Sequence, residues 1–300
     1  MMNRRRFLAA TGEALAGAGL MNRPNGAFAA DGPGPELAVT LKRLESESGG
    51  RLGVAMLDTA TGAQLGHRAD ERFPMCSTFK ALAVGAVLQR VDMSKEDLAR
   101  RVRFAKSDLL SYSPVTEGRV GEAGMSVAEL CEAAITQSDN TAANLLLASL
   151  GGPAKVNAFL RALGDPVTRL DRIEPELNEA EDGDPRDTTT PNAMASDFRS
   201  LVTGQALSSG SRDQLIAWLV GNKTGDTRLR AGLPAGWRVG DKTGTGRQGT
   251  ANDVAVIWPP QRAPVLVAVY LTQASAPVER QNAIIAAVAQ ALAASIDRPG

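Results

Sequence analysis

Histidine, cysteine and aromatic residues are what this chain of 300 residues has least of: one histidine, two cysteines and 4% aromatics. Its charges cancel, with 33 basic and 33 acidic residues. A single histidine, His67, excludes a zinc hydrolase built on a histidine cluster. A Ser-His-Asp triad would have to use that residue. His67 lies in Ala63-Gln64-Leu65-Gly66-His67-Arg68, which reads as an edge strand, so we assign it a structural role. Zero net charge gives no reason to expect a nucleic-acid or polyanion partner. Cys76 and Cys131 allow at most one disulfide. The apolar content suffices for one large domain or two smaller ones.

The first residues read as a targeting segment rather than as part of the fold. Asn3-Arg4-Arg5-Arg6-Phe7-Leu8 has the form of a twin-arginine export motif. A mildly apolar stretch follows up to Leu20, too short and too glycine-rich to span a bilayer stably. Ala27-Phe28-Ala29 fits a small-x-small cleavage site, so a signal peptide over 1–29 and a mature chain from near Ala30 are expected. No cysteine stands there to carry a lipid, and no later stretch would cross a membrane. The expectation is an exported, periplasmic monomer with no stable membrane insertion after processing.

Strand patterns occur at both ends of the chain, with helical patterns between. Pro35 to Ser48 reads as a helix with Leu37, Leu41 and Leu44 on one side. Arg51 to Asp58 reads as a strand that Thr61-Gly62 turns back on itself. From Ser77 to about Val220 nearly every segment reads helical, including a capping box at Ser126 to Glu129. After Trp237, three strand patterns joined by short turns precede a last helix from about Val278 to Ile296. The economical fold is α/β (α+β): one antiparallel five-stranded sheet from both chain ends, flanked by helices, beside an all-helical domain. The boundaries expected are 30–69 with 222–300 for the first domain and 70–221 for the second.

Ser77-Thr78-Phe79-Lys80 is the stretch around which the chemistry gathers. Pro74 blocks a helix just before it, and Ala81 to Leu88 is apolar on nearly every side, as in a buried helix. A helix starting at Ser77 places Lys80 one turn on, on the same face, with its ammonium in reach of the hydroxyl. Unpaired N–H groups and the helix dipole there favour negative charge. Alone, the pattern is weak and reads more readily as a serine cap followed by a surface lysine.

Three further stretches add weight. Ser138-Asp139-Asn140 lies between two helices and by itself reads as an N-cap with a turn. Lys242-Thr243-Gly244 ends a strand, where hydroxyl and ammonium face a cleft and the next backbone N–H can bind an oxyanion. A second such triplet, Lys223-Thr224-Gly225, follows a helix and reads as a connecting loop. In Glu174-Pro175-Glu176-Leu177-Asn178, a carboxylate and an amide can share one water. Arg172 and Asp187 flank this acidic loop, and an ion pair between them would close it. Glu179, Glu181, Asp182 and Asp184 read as solvated.

Taken in order, Ser77-x-x-Lys80, Ser138-Asp139-Asn140, Glu174-x-x-Leu177-Asn178 and Lys242-Thr243-Gly244 resemble the class A serine β-lactamases. The likeness runs from about Gly53 to the last helix and takes in Tyr112-Ser113-Pro114-Val115-Thr116. It implies that Ser77 attacks the lactam carbonyl, with its own N–H and that of Thr245 as oxyanion hole. It leaves Lys80 and Glu174 both standing as acylation base. It implies further that Ser138 relays a proton to the lactam nitrogen, and that Asn140 binds the acyl side-chain amide. Lys242, Thr243 and Arg228 would hold the substrate carboxylate, Glu174 with Asn178 would activate the deacylating water, and Tyr112 would contact substrate. The Glu174-Pro175 bond would be cis. The partners are small-molecule β-lactams, with no cofactor and no metal. Gly246 and Val84 stand where relatives pair each cysteine, so two free thiols are expected. A penicillin-binding D,D-peptidase shares the serine, lysine and K-T-G logic but lacks the Glu174–Asn178 element. A non-hydrolysing β-lactam sensor would bring a membrane-spanning segment.

Overall fold

The computed structural model describes residues 34–296; the twin-arginine motif and cleavage site fall outside the described residues. Helix α1 (Pro35–Ser48) has proline in its first turn and stops at Gly49 in the left-handed region, φ 65°. Strands β1 (Arg51–Asp58) and β2 (Gln64–His67) form a hairpin, and the short β3 (Phe73–Pro74) leads to a tight 3-10 turn, Cys76–Thr78. Helix α2 (Phe79–Asp92) follows, buried on every side from Phe79 to Leu88.

Strands β4 (Arg101–Phe104) and β5 (Gly121–Ser126) pair as a hairpin before α3 (Val127–Thr136), α4 (Asn140–Leu150) and α5 (Pro153–Leu163). Strand β6 (Thr188–Thr189) pairs with β3 and precedes α6 (Pro191–Val202), α7 (Ser209–Val220) and the short α8 (Leu229–Gly232). Strands β7 (Arg238–Gly246), β8 (Thr250–Trp258) and β9 (Val265–Thr272) and helix α9 (Val278–Ile296) complete the chain.

Among the described residues, five strands form one antiparallel sheet in the order β2-β1-β9-β8-β7, so both chain ends contribute to it as expected. The central strands are buried on both faces, and their side chains alternate between two cores. Val54, Val267 and Ile257 pack with Leu41 of α1 and Ile285 of α9. Ala55, Ala268 and Val256 pack toward α2, α6 and the helical layer. His67, on the edge strand β2, lies with Nε2 3.1 Å from Glu45 Oε2, a structural pairing away from the motifs.

Three local expectations need correction. The stretch 70–221 is not all helical, because the β4–β5 hairpin and the β3–β6 pair lie within it. Helix α2 begins at Phe79, two residues after Ser77, because the chain first tightens into the 3-10 turn. Lys242 sits in the middle of β7 rather than at its end, since β7 continues to Gly246. Among the described residues, no helix is long and apolar enough to cross a membrane.

Candidate active site

Two non-glycine residues with positive φ flank the site: Cys76 at 45° and Ser138 at 57°. Each such conformation costs about 1–3 kcal/mol and persists only where the surroundings impose it. At Ser138 the surroundings are visible. Asp139 caps α4, its Oδ1 accepting from Ala142 N at 2.8 Å, while its Oδ2 accepts from Val115 N at 3.0 Å and Thr116 N at 2.9 Å. The capping reading of the Ser-Asp-Asn stretch therefore holds for Asp139. Its two neighbours, Ser138 and Asn140, are left facing the cleft.

Strand β7 forms the opposite wall, at the sheet edge against the 3-10 turn. Only glycine permits this approach at Gly244, where a Cβ would come within 2.7 Å of Met75 O. Arg228, buried ahead of α8, braces the strand. Its guanidinium donates to Gly244 O at 2.8 Å, Asn252 O at 2.6 Å and Thr245 Oγ1 at 2.7 Å.

The floor is ionic. Lys80 Nζ lies 3.0 Å from Glu174 Oε1, and both side chains are fully buried. It donates to Ser138 O at 2.8 Å and Asn140 Oδ1 at 2.6 Å, with Ser138 Oγ at 3.4 Å. Burial lowers the Lys80 ammonium below its ordinary value, and the Glu174 carboxylate opposes that shift. Ser77 Oγ donates to Glu174 Oε1 at 3.4 Å. The expected contact of Lys80 with the Ser77 hydroxyl is thus replaced by one in which both groups meet on Glu174. Lys242 Nζ donates to Ser138 Oγ at 3.0 Å and Thr243 O at 2.9 Å. Burial, with the Lys80 charge adding to it, pushes the Lys242 ammonium down to about 7.

The loop carrying Glu174 is tied at its base as expected, by Arg172 Nε to Asp187 Oδ2 at 2.6 Å. Asp187 Oδ1 accepts from Asp171 N and Arg172 N at 2.7 and 2.9 Å. Glu179 is not simply solvated, because it also pairs with Arg172. Asp184 is paired as well, with Arg186 at 2.7 Å. The Glu174-Pro175 peptide is cis. Asn178 Nδ2 donates to Glu174 Oε2, while its buried Oδ1 has no protein partner. Ser77, Ser138, Asn140, Asn178, Arg228, Thr243 and Thr245, with the half-exposed Tyr112, line one cleft of about 390 Å³.

A serine at a tight turn, two buried ammonium groups and a buried carboxylate converge here from separate parts of the chain. The Beta-lactamase enzyme family matches residues 36–296. The chain belongs to the class A β-lactamases. It is 56% identical to Beta-lactamase AST-1 of Nocardia asteroides, over 81% of this chain and 78% of that protein. It is 54% identical to Beta-lactamase CTX-M-8 of Citrobacter amalonaticus, over 83% of this chain and 86% of that one. A solved structure, the ancestral (GNCA) class A β-lactamase, superposes with a TM-score of 0.85 at 66% identity, covering 86% of this chain and 99% of that one. The protein is a hydrolase that opens β-lactams and so confers resistance to them.

Two residues of this β-lactamase's site escaped the sequence reading. Asn144 grips the Glu174 backbone from both sides, Nδ2 to Glu174 O at 2.8 Å and Glu174 N to Oδ1 at 3.0 Å. Its signal was its place on α4, four residues after Asn140 and hence on the same face. Thr224 lines the cleft although its triplet reads as a loop. Both cysteines are free and buried. Burial pushes the Cys76 thiol well above its ordinary range, so it does not compete with its neighbour Ser77 as a nucleophile.

Proposed function

We propose that Ser77 is the nucleophile of a two-step acyl transfer on penicillins and cephalosporins. The observation that carries this is the meeting of Ser77 Oγ and Lys80 Nζ on one oxygen of Glu174. Attack on the lactam carbonyl moves the Ser77 proton toward the Glu174–Lys80 pair. The oxyanion is met by the N–H groups of Ser77 and Thr245. Ser138, held between Lys80 and Lys242, passes a proton to the lactam nitrogen as the ring opens. Asn140 takes the acyl side-chain amide, Tyr112 packs at the rim, and Lys242, Thr243 and Arg228 face the carboxylate. Glu174 then takes a proton from the water that attacks the ester, with Asn178 Oδ1 as a second acceptor for that water. Benzylpenicillin and a cephalosporin should each be turned over many times per enzyme. A stall after one equivalent would mark a penicillin-binding peptidase instead.

The carboxylate assignment carries a pH signature. Lys242 attracts an anion only while protonated, and its ammonium titrates near 7 in the free enzyme. The charge is complete below that pH and lost above it. Since kcat/KM reports groups of the free enzyme, kcat/KM for benzylpenicillin should fall as pH rises through this range. Lys242→Arg should move that alkaline limb upward. An identical limb in the variant would take Lys242 out of the carboxylate site.

Export by the twin-arginine route to the periplasm rests on Arg4-Arg5 and the cleavage signal that ends at Ala29. Replacing both arginines with lysine should leave active precursor in the cytoplasm, measured by fractionation. Normal periplasmic activity in that variant would exclude the route. A division into a sheet unit, 30–69 with 222–300, and a helix-rich unit, 70–221, would put the cleft at their seam.

A further inference from the structure

The second Lys-Thr-Gly triplet is more than a connection. Lys223 is exposed and its backbone N–H is spent on Thr136 O at 2.9 Å. Thr224, the next residue, lines the cleft with its hydroxyl 2.5 Å from that of Thr243. Gly225 lies so close to Asp241 that a Cβ would come within 2.0 Å of Oδ2, so the loop can pack here only with glycine.

Behind Thr224 stands a polar chain. Asn222 is 2% exposed. Its Nδ2 donates to Asp241 Oδ2 at 2.7 Å, and Arg230 Nε donates to the other carboxylate oxygen at 2.6 Å. Asn222 Oδ1 accepts from Thr224 N at 3.1 Å and Thr224 Oγ1 at 2.9 Å. A backbone N–H only donates and a carboxylate only accepts, so the amide orientation is set from both ends.

Each threonine hydroxyl has one proton and two lone pairs. Two arrangements satisfy the chain. In one, Thr243 donates to Thr224 and Thr224 donates to Asn222, so Thr243 presents only lone pairs to the cleft. In the other, Thr224 turns its proton to Thr243, and Thr243 gives its own to an acceptor in the cleft. Asn222 Oδ1 then keeps the Thr224 N–H, and no buried polar atom is orphaned. We propose that Thr224 is a positioning residue for the substrate carboxylate, its hydroxyl rotating from Asn222 to Thr243 so that Thr243 donates to the anion. This rests on the reading that Thr243 holds the carboxylate, and the test separates the two.

Thr224→Val keeps the shape and removes the hydroxyl, Thr224→Ser keeps the hydroxyl, and Thr243→Val removes the direct donor. Each is assayed on benzylpenicillin and on its methyl ester, which has no anion to receive the bond. A hydrogen bond to a charged group lost in this way raises KM by about ten-fold. Thr224→Val should do so for the acid with kcat nearly unchanged, leave the ester unaffected, and be rescued in Thr224→Ser. An unchanged KM for the acid, or equal losses on acid and ester, would overturn the proposal. If Thr243→Val discriminates acid from ester while Thr224→Val does not, Thr224 alone is misassigned. If Thr243→Val weakens both alike, the carboxylate reading fails and takes this inference with it.

Discussion

Ser77→Ala should abolish the acyl-enzyme and reduce turnover by roughly 10⁴–10⁶-fold, the loss that follows removal of a serine nucleophile that acts as a unit with its base. The geometry leaves little room for a substitute. Among the cleft residues, Ser77 is the one whose hydroxyl bonds to Glu174. Ser138 is committed to the two lysines, Thr243 to Thr224, and Thr245 accepts from Arg228. Cys76 is adjacent, but its buried thiol is pushed far up and stays protonated. Alanine fits the turn without a new contact, so thermal unfolding should be close to that of the parent. The variant should still bind penicillin reversibly, because Lys242 and Thr243 remain. Mass spectrometry after incubation with benzylpenicillin should find no adduct; a covalent adduct on this variant would move the nucleophile elsewhere.

Much of this site was legible because each element carries its own local signal. Strands β1 and β9 carry apolar runs, Val54 to Leu57 and Val265 to Leu271, which fits strands buried on two faces. Helix α2 is apolar all round and is buried all round. What the sequence hid was set by tertiary contact. The start of α2 depends on the 3-10 turn that β7 packs against, which no propensity at Cys76 or Ser77 foretells. Arg101-Val102-Arg103-Phe104 alternates as a strand does, but four residues beside a helical block are too few to stand out. Glu179 looked like one of several solvated carboxylates, and its pairing with Arg172 depends on how the loop folds back. Thr224 was passed over because its triplet duplicates a stronger one. Only the closeness of the α7–α8 connection to β7 shows that both threonines face one cleft.

Glu174→Ala should separate the two chemical steps, and the reason lies in its ion pair. Burial lowers the Lys80 ammonium, and the strongest influence opposing that shift is the Glu174 carboxylate, 3.0 Å away. Removing the carboxylate takes away the largest influence opposing burial, so the Lys80 ammonium should be lowered further and the amine become better able to act as the base of the first step. Acylation therefore survives. Deacylation has no such replacement, because the water lies between Glu174 and Asn178 in this mechanism, while Lys80 is turned to Ser138 and Asn140. General-base assistance is worth roughly 10²–10⁴-fold, or about 3–5 kcal/mol of barrier, and that is the expected slowing of ester hydrolysis.

The decisive measurement is intact-protein mass spectrometry of Glu174→Ala over time after mixing with benzylpenicillin, with peptide mapping of any adduct. One equivalent should add within the dead time of a manual experiment, map to the peptide containing Ser77, and persist while turnover stays near zero. Turnover at the parent's rate would place activation of the water elsewhere. A variant that never acquires the adduct would make Glu174 the indispensable base of the first step and contradict the division of labour between Lys80 and Glu174.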